Sequence, residues 1–215
     1  MRFRFWIAPA LLAVSLCLSV SAADWGPLSR AQALAQAKSG QVDQRRLAYG
    51  RLAEVGTLED VPLLLAALWD EEELIRGMAE QAVWGIWMRT DDPAADPMFQ
   101  TGIQLLIEDE PEQALEKFNQ VIELRPDFAE AWNRRGDAYQ FMGDEERALS
   151  DYEHVMRLNP YHFGTLESCG QIWLERRNSR KAAEYFRRAL EINPNLRNVV
   201  EILRRLEEVL ENDRI

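Results

Sequence analysis

Apolar residues recur at intervals of three and four positions along most of the chain, a spacing that predicts amphipathic α-helices. Such stretches cover residues 29–38, 45–56 and 76–87, and a Leu-rich stretch follows Pro62. A last helix is predicted over residues 196–213, and its apolar face consists of Leu196, Val199, Val200, Leu203, Leu206 and Leu210. The other face of this helix is charged, as suits an element that closes the end of a stack. The pattern predicts an all-α protein.

The start of the chain, residues 1–23, has a different pattern. Arg2 and Arg4 precede an apolar run over residues 5–20, and the run ends at the small residues Ala22 and Ala23. These are the three parts of a secretory signal peptide, and the run is shorter than the roughly 20 residues that span a bilayer. We therefore expect cleavage after Ala22 or Ala23, export to the bacterial periplasm and no membrane insertion of the mature chain. Secretion, or membrane anchoring by an uncleaved signal, is the alternative.

Gly, Ala, aromatic and Pro residues recur at one fixed interval from residue 95 to residue 194. Small residues in such a pattern let two helices approach closely, an aromatic residue fills the adjoining space, and Pro ends the second helix. Each copy is thus predicted to be a helical hairpin whose apolar face the next copy covers. The recurring positions are Gly102, Gly136 and Gly170; Ala114, Ala148 and Ala182; Phe118, Tyr152 and Phe186; and Pro126, Pro160 and Pro194.

The middle copy, residues 129–160, resembles the tetratricopeptide repeat (TPR). The resemblance implies a right-handed solenoid of helical hairpins with three units, at residues 95–128, 129–162 and 163–194, and a capping helix at residues 195–215. The residues that carry it are Trp132, Gly136, Tyr139, Gly143, Ala148, Tyr152 and Pro160.

Residues 24–90 lack this period but keep the helical pattern. Residues 45–56 align with residues 76–87 at a constant offset, so that Arg45 matches Arg76. The segment resembles a HEAT-like repeat over about one and a half units. An all-helical cap without such a relationship is the alternative.

Two features predict how the two blocks meet. Residues 90–97 contain two Pro and three Asp, a composition that stops one helix and starts another. Because this linker is short, we expect the blocks to pack together as one elongated solenoid. Trp84 and Trp87 lie on the last helix of the first block, where we expect a junction core; a ligand-binding aromatic patch is the alternative.

The charge balance narrows the class of partner. The chain has 25 Lys and Arg against 36 Asp and Glu, and thus a net charge of −11. Proteins that bind nucleic acids or anionic membranes carry clustered Lys and Arg, because binding neutralises phosphates. The acidic balance argues against both classes of partner.

The chain offers little for catalysis or metal binding. It has two His and two Cys, and Cys17 lies in the predicted signal peptide. Cys169 falls on an inward-facing helix position, where a buried core thiol is favoured over a reactive one. His162 lies between two repeats, where we expect a turn residue or helix cap in preference to a general base. The sequence predicts a protein that is not an enzyme and has no metal or cofactor.

The resemblance also implies a binding surface, because TPR proteins hold peptides or partner proteins in a concave groove lined by the first helix of each repeat. Of the groove positions, those in the first repeat are apolar, and those in the other two are mainly polar and acidic. A partner with basic or amide-rich segments and an apolar anchor would suit them. The implied partner-binding residues are Phe99, Ile103, Glu130, Asn133, Asp137, Gln140, Phe141, Glu167, Gln171 and Glu175.

Some TPR proteins bind the C-terminal carboxylate of chaperones through a Lys and an Asn. Phe99 and Ile103 occupy those positions here, so this activity is not expected. The leading function is an exported adaptor that binds a partner protein or peptide through the groove. The alternative is a structural subunit of an envelope or secretion assembly that uses its ends or convex face. The oligomeric state is left open.

N-terminal sequencing of the protein from its native host tests the export prediction. We expect the mature chain to begin at Ala23 or Asp24, because cleavage follows Ala22 or Ala23. A chain in the membrane fraction that still begins at Met1 would contradict cleavage and support the anchor.

Overall fold

The computed structural model of the chain describes residues 27–212, and the signal peptide predicted at residues 1–23 lies outside them. The described residues form α-helices, short loops and one 3-10 turn, Leu58–Asp60, without any strand, which confirms the all-α fold class. None of these helices combines the length and hydropathy that crossing a bilayer requires. The helices are α1 Arg30–Gln36, α2 Val42–Val55, α3 Val61–Ala67, α4 Glu73–Trp87, α5 Ala95–Ile107, α6 Pro111–Leu124, α7 Ala129–Phe141, α8 Glu145–Leu158, α9 Phe163–Glu175, α10 Ser179–Ile192 and α11 Arg197–Asn212.

Helices α5 to α10 form three hairpins that follow the period of the sequence. The first helices α5, α7 and α9 begin at residues 95, 129 and 163, and the second helices α6, α8 and α10 begin at residues 111, 145 and 179. Both series of starts have the same spacing as the recurring Gly, Ala, aromatic and Pro positions. The sequence period is therefore the period of the helices themselves.

In each hairpin, the aromatic ring of the second helix lies directly on the glycine of the first helix. A Cβ atom added to each of these glycines would lie 2.6, 2.6 and 2.5 Å, in chain order, from the nearest ring carbon. Such distances are too short for a side chain of any size, so only glycine lets the two helices reach this separation. The pairs are Gly102 with Phe118, Gly136 with Tyr152, and Gly170 with Phe186.

The turn inside each hairpin requires a left-handed residue. Gly143 has φ = +76° in the second repeat, and Asp109 and Arg177 have φ = 62° and 55° at the equivalent positions. After this residue the chain bonds back to the helix, as the amide of Asp144 does to the carbonyl of Tyr139 at 2.8 Å. The first and third repeats thus keep the turn without glycine, at a conformational cost of about 1–2 kcal/mol each.

The terminal helix α11 packs on α10 through an apolar face. Val199, Leu203 and Leu206 are buried on this face, but Val200 is 48% exposed. The assignment of Val200 to the face is therefore wrong, because adjacent residues on a helix are about 100° apart.

Helices α1 to α4 share a hydrophobic core with the third repeat. Phe163, at the start of α9, belongs to the same buried cluster as Leu64 and Ile75, and Ile192 and Leu196 pack against that cluster. The sequence predicts that the two blocks continue one another as an elongated solenoid. They do pack together, but the first block lies along the repeats and reaches the third one.

Polar contacts fix the far end of this junction. Nε of Arg76 donates to Oδ1 of Asn195 at 2.8 Å, and Nδ2 of Asn195 donates to the carbonyl of Leu68 at 2.8 Å. Arg197 also forms an ion pair with Glu73. The start of α4 is thereby tied to the loop before α11.

The linker between the blocks is shorter than the sequence predicts. Helix α5 already begins at Ala95, so Pro97 lies in its first turn, where proline is tolerated. The side chain of Asp92 caps this helix by accepting from the amides of Ala94 and Ala95 at 2.8 and 3.2 Å.

Two tryptophans of α4 form the centre of the junction. Trp87 stacks on the imidazole of His162 with the ring centroids 4.7 Å apart. Trp84 meets Phe163 in an edge-to-face arrangement, with 5.3 Å between the ring centroids. These contacts confirm that Trp84 and Trp87 form the junction core.

A buried polar network lies beneath these rings. Nε2 of His162 donates to Oε2 of Glu130 at 2.8 Å, and Nδ1 of His162 accepts from the amide of Thr165 at 3.0 Å. His162 is thus the cap of α9, which confirms the sequence interpretation. The hydroxyl of Thr165 donates to Oδ1 of Asn133 at 2.7 Å. Through these bonds the second repeat is joined to the third.

The carboxylate of Glu130 is ionised in this network. Burial by itself raises the pKa of Glu130, but the hydrogen bond from His162 and the charge of Arg134 bring that pKa below its ordinary value. Nη2 of Arg134 lies 2.7 Å from Oε1 of Glu130. A carboxylate with a lowered pKa stabilises the fold above its unfolded-state pKa of about 4.3, and this stabilisation is lost as the pH falls through the folded-state pKa.

Two glycine substitutions test the close contact within the hairpins. Gly136→Ala should lower the free energy of unfolding by about 1–3 kcal/mol, because the new Cβ would collide with the ring of Tyr152. Gly77→Ala is the matched control, since this exposed position inside α4 has no atom within 4 Å of a new Cβ. It should stabilise the protein by about 0.5–1 kcal/mol through helix propensity. Urea unfolding measures both, and equal effects would contradict the assignment.

Removal of the Glu130 carboxylate tests the polar network. At pH 7, Glu130→Ala should cost about 3–5 kcal/mol, because Arg134 and His162 lose a buried partner. The difference from the wild type should shrink as the pH falls from about 4.3, the unfolded-state pKa, through the lowered folded-state pKa. Glu123→Ala, at an exposed position of α6, should change stability by less than about 0.5 kcal/mol. A pH-independent difference between Glu130→Ala and the wild type would contradict the ionised network.

Candidate functional site

The first helices of the repeats face a continuous groove. The larger part of the groove has a volume of about 830 Å³. A smaller part of about 340 Å³ lies beside it, and Arg134, Asp137 and Gln140 line both. The other lining residues of the larger part are Ile103, Leu106, Ile107, Asp109, Phe141 and Glu175. Those of the smaller part include Trp84, Asn133, Gly164, Glu167, Ser168 and Gln171.

Most of the residues predicted from the repeat positions border this groove. Two do not, because Phe99 is 0% and Glu130 is 1% exposed. Asn133 reaches the groove only with its edge, at 4% exposure. The residues that the structure brings together as predicted are Ile103, Asp137, Gln140, Phe141, Glu167, Gln171 and Glu175.

The three buried residues serve the repeat interfaces. Phe99 packs against Phe118 and Phe128, with centroid distances of 6.0 and 5.0 Å. Glu130 and Asn133 are bonded to side chains of the third repeat. The side chains of Phe99 and Glu130 are therefore not available to a partner in this structure, which corrects the assignment of these two positions to the groove surface.

Asp137 forms the floor of the groove. The Tyr152 hydroxyl lies 2.8 Å from Oδ1 of Asp137 and 3.0 Å from Oε1 of Gln140. Nη1 of Arg134 donates to Oδ2 of Asp137 at 2.9 Å. Burial raises the pKa of Asp137 above its ordinary value, against the opposing charge of Arg134. This carboxylate is therefore engaged within the protein.

One wall of the groove is apolar and exposed. Ile107, at the end of α5, is 73% exposed, and Phe141, at the end of α7, is 65% exposed. Both side chains stand at the same turn of successive repeats. Large apolar side chains that line a concave surface are typical of sites where another molecule binds.

The opposite wall is polar and acidic. Nε2 of Gln171 donates to Oε1 of Glu175 at 3.0 Å, and Glu167 lies one turn earlier on α9. Arg134 is the one cation among the described residues that line the groove, and it is already paired with Glu130 and Asp137. The groove therefore presents uncompensated negative charge.

Several lining residues are absent from the sequence prediction, among them Asp109, Arg134 and Trp84. Asp109 and Arg134 flank the predicted helix positions of the groove, and the repeat period gives no reason to select them. Trp84 belongs to the first block. It contacts Gly164 of α9, which is far from it in the sequence. No sequence pattern links these two distant residues.

Cys169 and His162 both have structural roles, as a buried core thiol and as the cap of α9. The thiol of Cys169 is buried, and burial raises its pKa to about 12, so it is not a nucleophile at neutral pH. Over residues 27–212, the structure contains no group of three or more His, Cys, Asp or Glu side chains that could hold a metal ion.

Comparison with known proteins gives matches in the second half of the chain. A family model described as TPR repeat matches residues 109–143, and one described as tetratricopeptide repeat matches residues 129–162 and 170–196. The HEAT-like interpretation of residues 24–90 stays a prediction.

Two curated relatives show the extent of the similarity. A TPR repeat-containing protein of Rhizobium etli is 36% identical over 101 residues, which are 47% of this chain and 50% of that protein. Subunit 3 of the anaphase-promoting complex of Schizosaccharomyces pombe is 30% identical over 83 residues, which are 39% of this chain and 12% of that protein. The matched segment spans half or less of each relative.

Among solved structures, the crystal structure of MamA is similar at 22% sequence identity with a TM-score of 0.44, covering 69% of this chain and 86% of that chain. The repeat spacing, the paired helices and the family matches agree for the second half of the chain. Residues 109–162 and 170–196 of this protein are tetratricopeptide repeats.

Proposed function

We propose that this protein is an exported, non-enzymatic adaptor that holds an extended segment of a partner protein in the groove of its repeats. Tetratricopeptide repeats generally mediate protein–protein interaction. The observation that supports the use of the groove here is the pairing of an exposed apolar wall with an acidic wall across one concavity. The signal-like residues 1–23 support export, with the periplasm as the compartment.

The apolar wall favours a partner segment with its own apolar anchor. Ile107 and Phe141 are two of the most exposed large apolar side chains of the described chain, and they face the same cavity. Burying apolar surface there would gain about 25 cal/mol per Å². An aromatic residue such as Phe141 also loses little conformational entropy on binding, which is typical of interface residues that dominate affinity.

The acidic wall favours positive or amide-bearing side chains on the partner. Within residues 27–212 Glu167 and Glu175 form no ion pair, whereas Asp137 is paired with Arg134. Charge complementarity of this kind directs a partner to one register in the groove.

The buried state of Asp137 determines which substitutions can test the groove. Asp137 supports Tyr152 and Arg134, so its replacement would disturb the hairpin as well as the surface. Phe141 and Gln171 are better probes, because their side chains reach the groove without supporting a buried network.

Site-specific photo-crosslinking in the native compartment tests the proposal. A benzophenone amino acid at Phe141 or Gln171 should capture a partner protein, and the same probe at Glu116, on the exposed side of α6, should capture about ten times less. A probe at Arg205 on α11 reports on use of the end of the array. Equal or stronger capture at Glu116 or Arg205 would contradict groove binding and support the structural-subunit alternative.

Affinity then gives the energetic readout for the captured partner. Phe141→Ala should weaken binding by about tenfold or more, as expected for the loss of an aromatic anchor worth at least about 1.4 kcal/mol. Thermal unfolding should be nearly unchanged, because the side chain of Phe141 is 65% exposed. A partner that binds this variant as tightly as the wild type would exclude the apolar wall from the interface.

A further inference from the structure

A second cavity lies between the first block and the turns that join successive repeats. Its volume is about 320 Å³, and four segments of the chain line it. Two of them are the turns between repeats, within residues 125–130 and 158–162, and the other two belong to the first block, within residues 56–62 and 86–91. The packing of the first block against the repeats therefore creates this cavity, which we call the junction cavity.

The junction cavity is separate from the groove. Among the described residues, none that lines the junction cavity also lines either part of the groove. Helix α4 contributes to both sites with different side chains, because Trp84 lines the groove and Trp87 lines the junction cavity. A molecule bound in one site therefore contacts none of the residues that line the other.

Large apolar side chains line the junction cavity. Leu58, Leu158 and Tyr161 are exposed to solvent there, whereas Trp87 and Phe128 are buried in its wall. Leu58 and Trp87 come from the first block, and the other three come from the turns between repeats. Exposed apolar side chains in a concave place between two structural units are typical of ligand sites.

Two of the carboxylates that line the junction cavity are neutralised within the protein. Nε of Arg125, itself a lining residue, donates to Oδ1 of Asp127 at 3.1 Å. Glu130 is buried and accepts from Nε2 of His162 at 2.8 Å. These groups have their partners already and do not require a charged ligand.

The remaining charged groups of the lining are Arg89 and Asp91. Arg89 donates to the carbonyls of Glu54 and Gly56 at the end of α2, where the helix dipole favours a cation. Asp91 is exposed, so that water solvates its carboxylate. Within residues 27–212, none of the buried side-chain N or O atoms that lack a hydrogen-bond partner belongs to this lining. The junction cavity thus offers a ligand apolar contact and no unpaired buried group.

The size of the junction cavity favours a small molecule over a protein. Sites for small molecules begin at about 300 Å³, whereas a stable protein interface covers about 800 Å² of each partner. The aromatic side chains in the lining favour a ring, because aromatic rings pack on one another in offset or edge-to-face arrangements. Pro62 and Pro160 add rigid apolar surface to the same lining.

We propose that the junction cavity binds a small, uncharged aromatic molecule. Its ring contacts Trp87, Phe128 and Tyr161, and Leu58 and Leu158 cover it. This site goes beyond the proposed function and does not depend on it. Because the ligand contacts both blocks, its binding stabilises the packing of the first block on the repeats.

Fluorescence titration of the purified protein with N-phenyl-1-naphthylamine tests the proposal, because this uncharged aromatic dye becomes bright in apolar surroundings. We expect saturable binding of a single dye molecule. The dye 8-anilinonaphthalene-1-sulfonate has the same rings and one negative charge, and it should bind at least about tenfold more weakly, because the site has no free partner for that charge. Equal or tighter binding of the sulfonate would contradict an uncharged ligand.

A charge placed in the wall tests where the dye binds. Leu158→Glu should weaken the binding of N-phenyl-1-naphthylamine by about tenfold or more, because the ligand would then bury a carboxylate. Leu124→Glu is the matched control, since Leu124 has the same position in the preceding repeat, is 47% exposed against 40% for Leu158, and does not line the cavity. It should bind the dye as the wild type does, and equal losses in the two variants would overturn the site.

A second pair of variants tests the wall that the first block provides. Leu58→Glu should also weaken dye binding by about tenfold or more, and Leu47→Glu, at an exposed position of α2 outside the cavity, should not. The dye should raise the thermal unfolding temperature of the wild type and of both controls, but not that of Leu58→Glu or Leu158→Glu. Normal dye binding by Leu58→Glu would exclude the first block from the site.

The remaining outcomes would overturn the proposal without affecting the proposed function. Dye binding that is lost in Phe141→Ala and kept in Leu58→Glu and Leu158→Glu would locate the dye in the groove. Absence of saturable dye binding would show that the junction cavity is not a ligand site. Crosslinks to a protein from a benzophenone amino acid at Tyr161 would replace the small molecule with a protein partner.

Discussion

The contact between a glycine and an aromatic ring inside each hairpin is the constraint on which the rest of the structure depends. It sets the separation of the two helices in all three repeats, at Gly102, Gly136 and Gly170. Because that separation is the same each time, successive hairpins stack with one geometry, and their first helices line one groove. The ring of Tyr152 shows the link to the site, because its hydroxyl also holds Asp137 and Gln140 at the floor of that groove.

Because the hairpins stack in this way, residues of one helix have two different roles. On α7, Glu130 and Asn133 turn toward the third repeat and are buried, whereas Gln140 and Phe141 reach the groove. Residues near the start of α7 bond to His162 and Thr165, whereas residues near its end line the groove. The exposed apolar side chains Ile107 and Phe141 lie at the ends of the first helices.

The sequence predicts what local physics and periodicity determine. The spacing of apolar residues locates the helices, and the recurrence of Gly136 and Tyr152 predicts the hairpin and its packing, because those effects act within a single repeat. The position of α4 is different, since Trp84 meets Gly164 across a long separation in sequence that no pattern in one chain encodes. The repeat position likewise assigns Glu130 to the groove; its partner His162 becomes visible only when the repeats are stacked.

The first block contributes to the fold and to the groove through the same pair of aromatic side chains. Its aromatic side chains Trp84 and Trp87 cover the edge of the repeats and bury a cap, His162, that joins the second repeat to the third. The first block therefore holds the second and third repeats together and also contributes Trp84 to the lining of the groove.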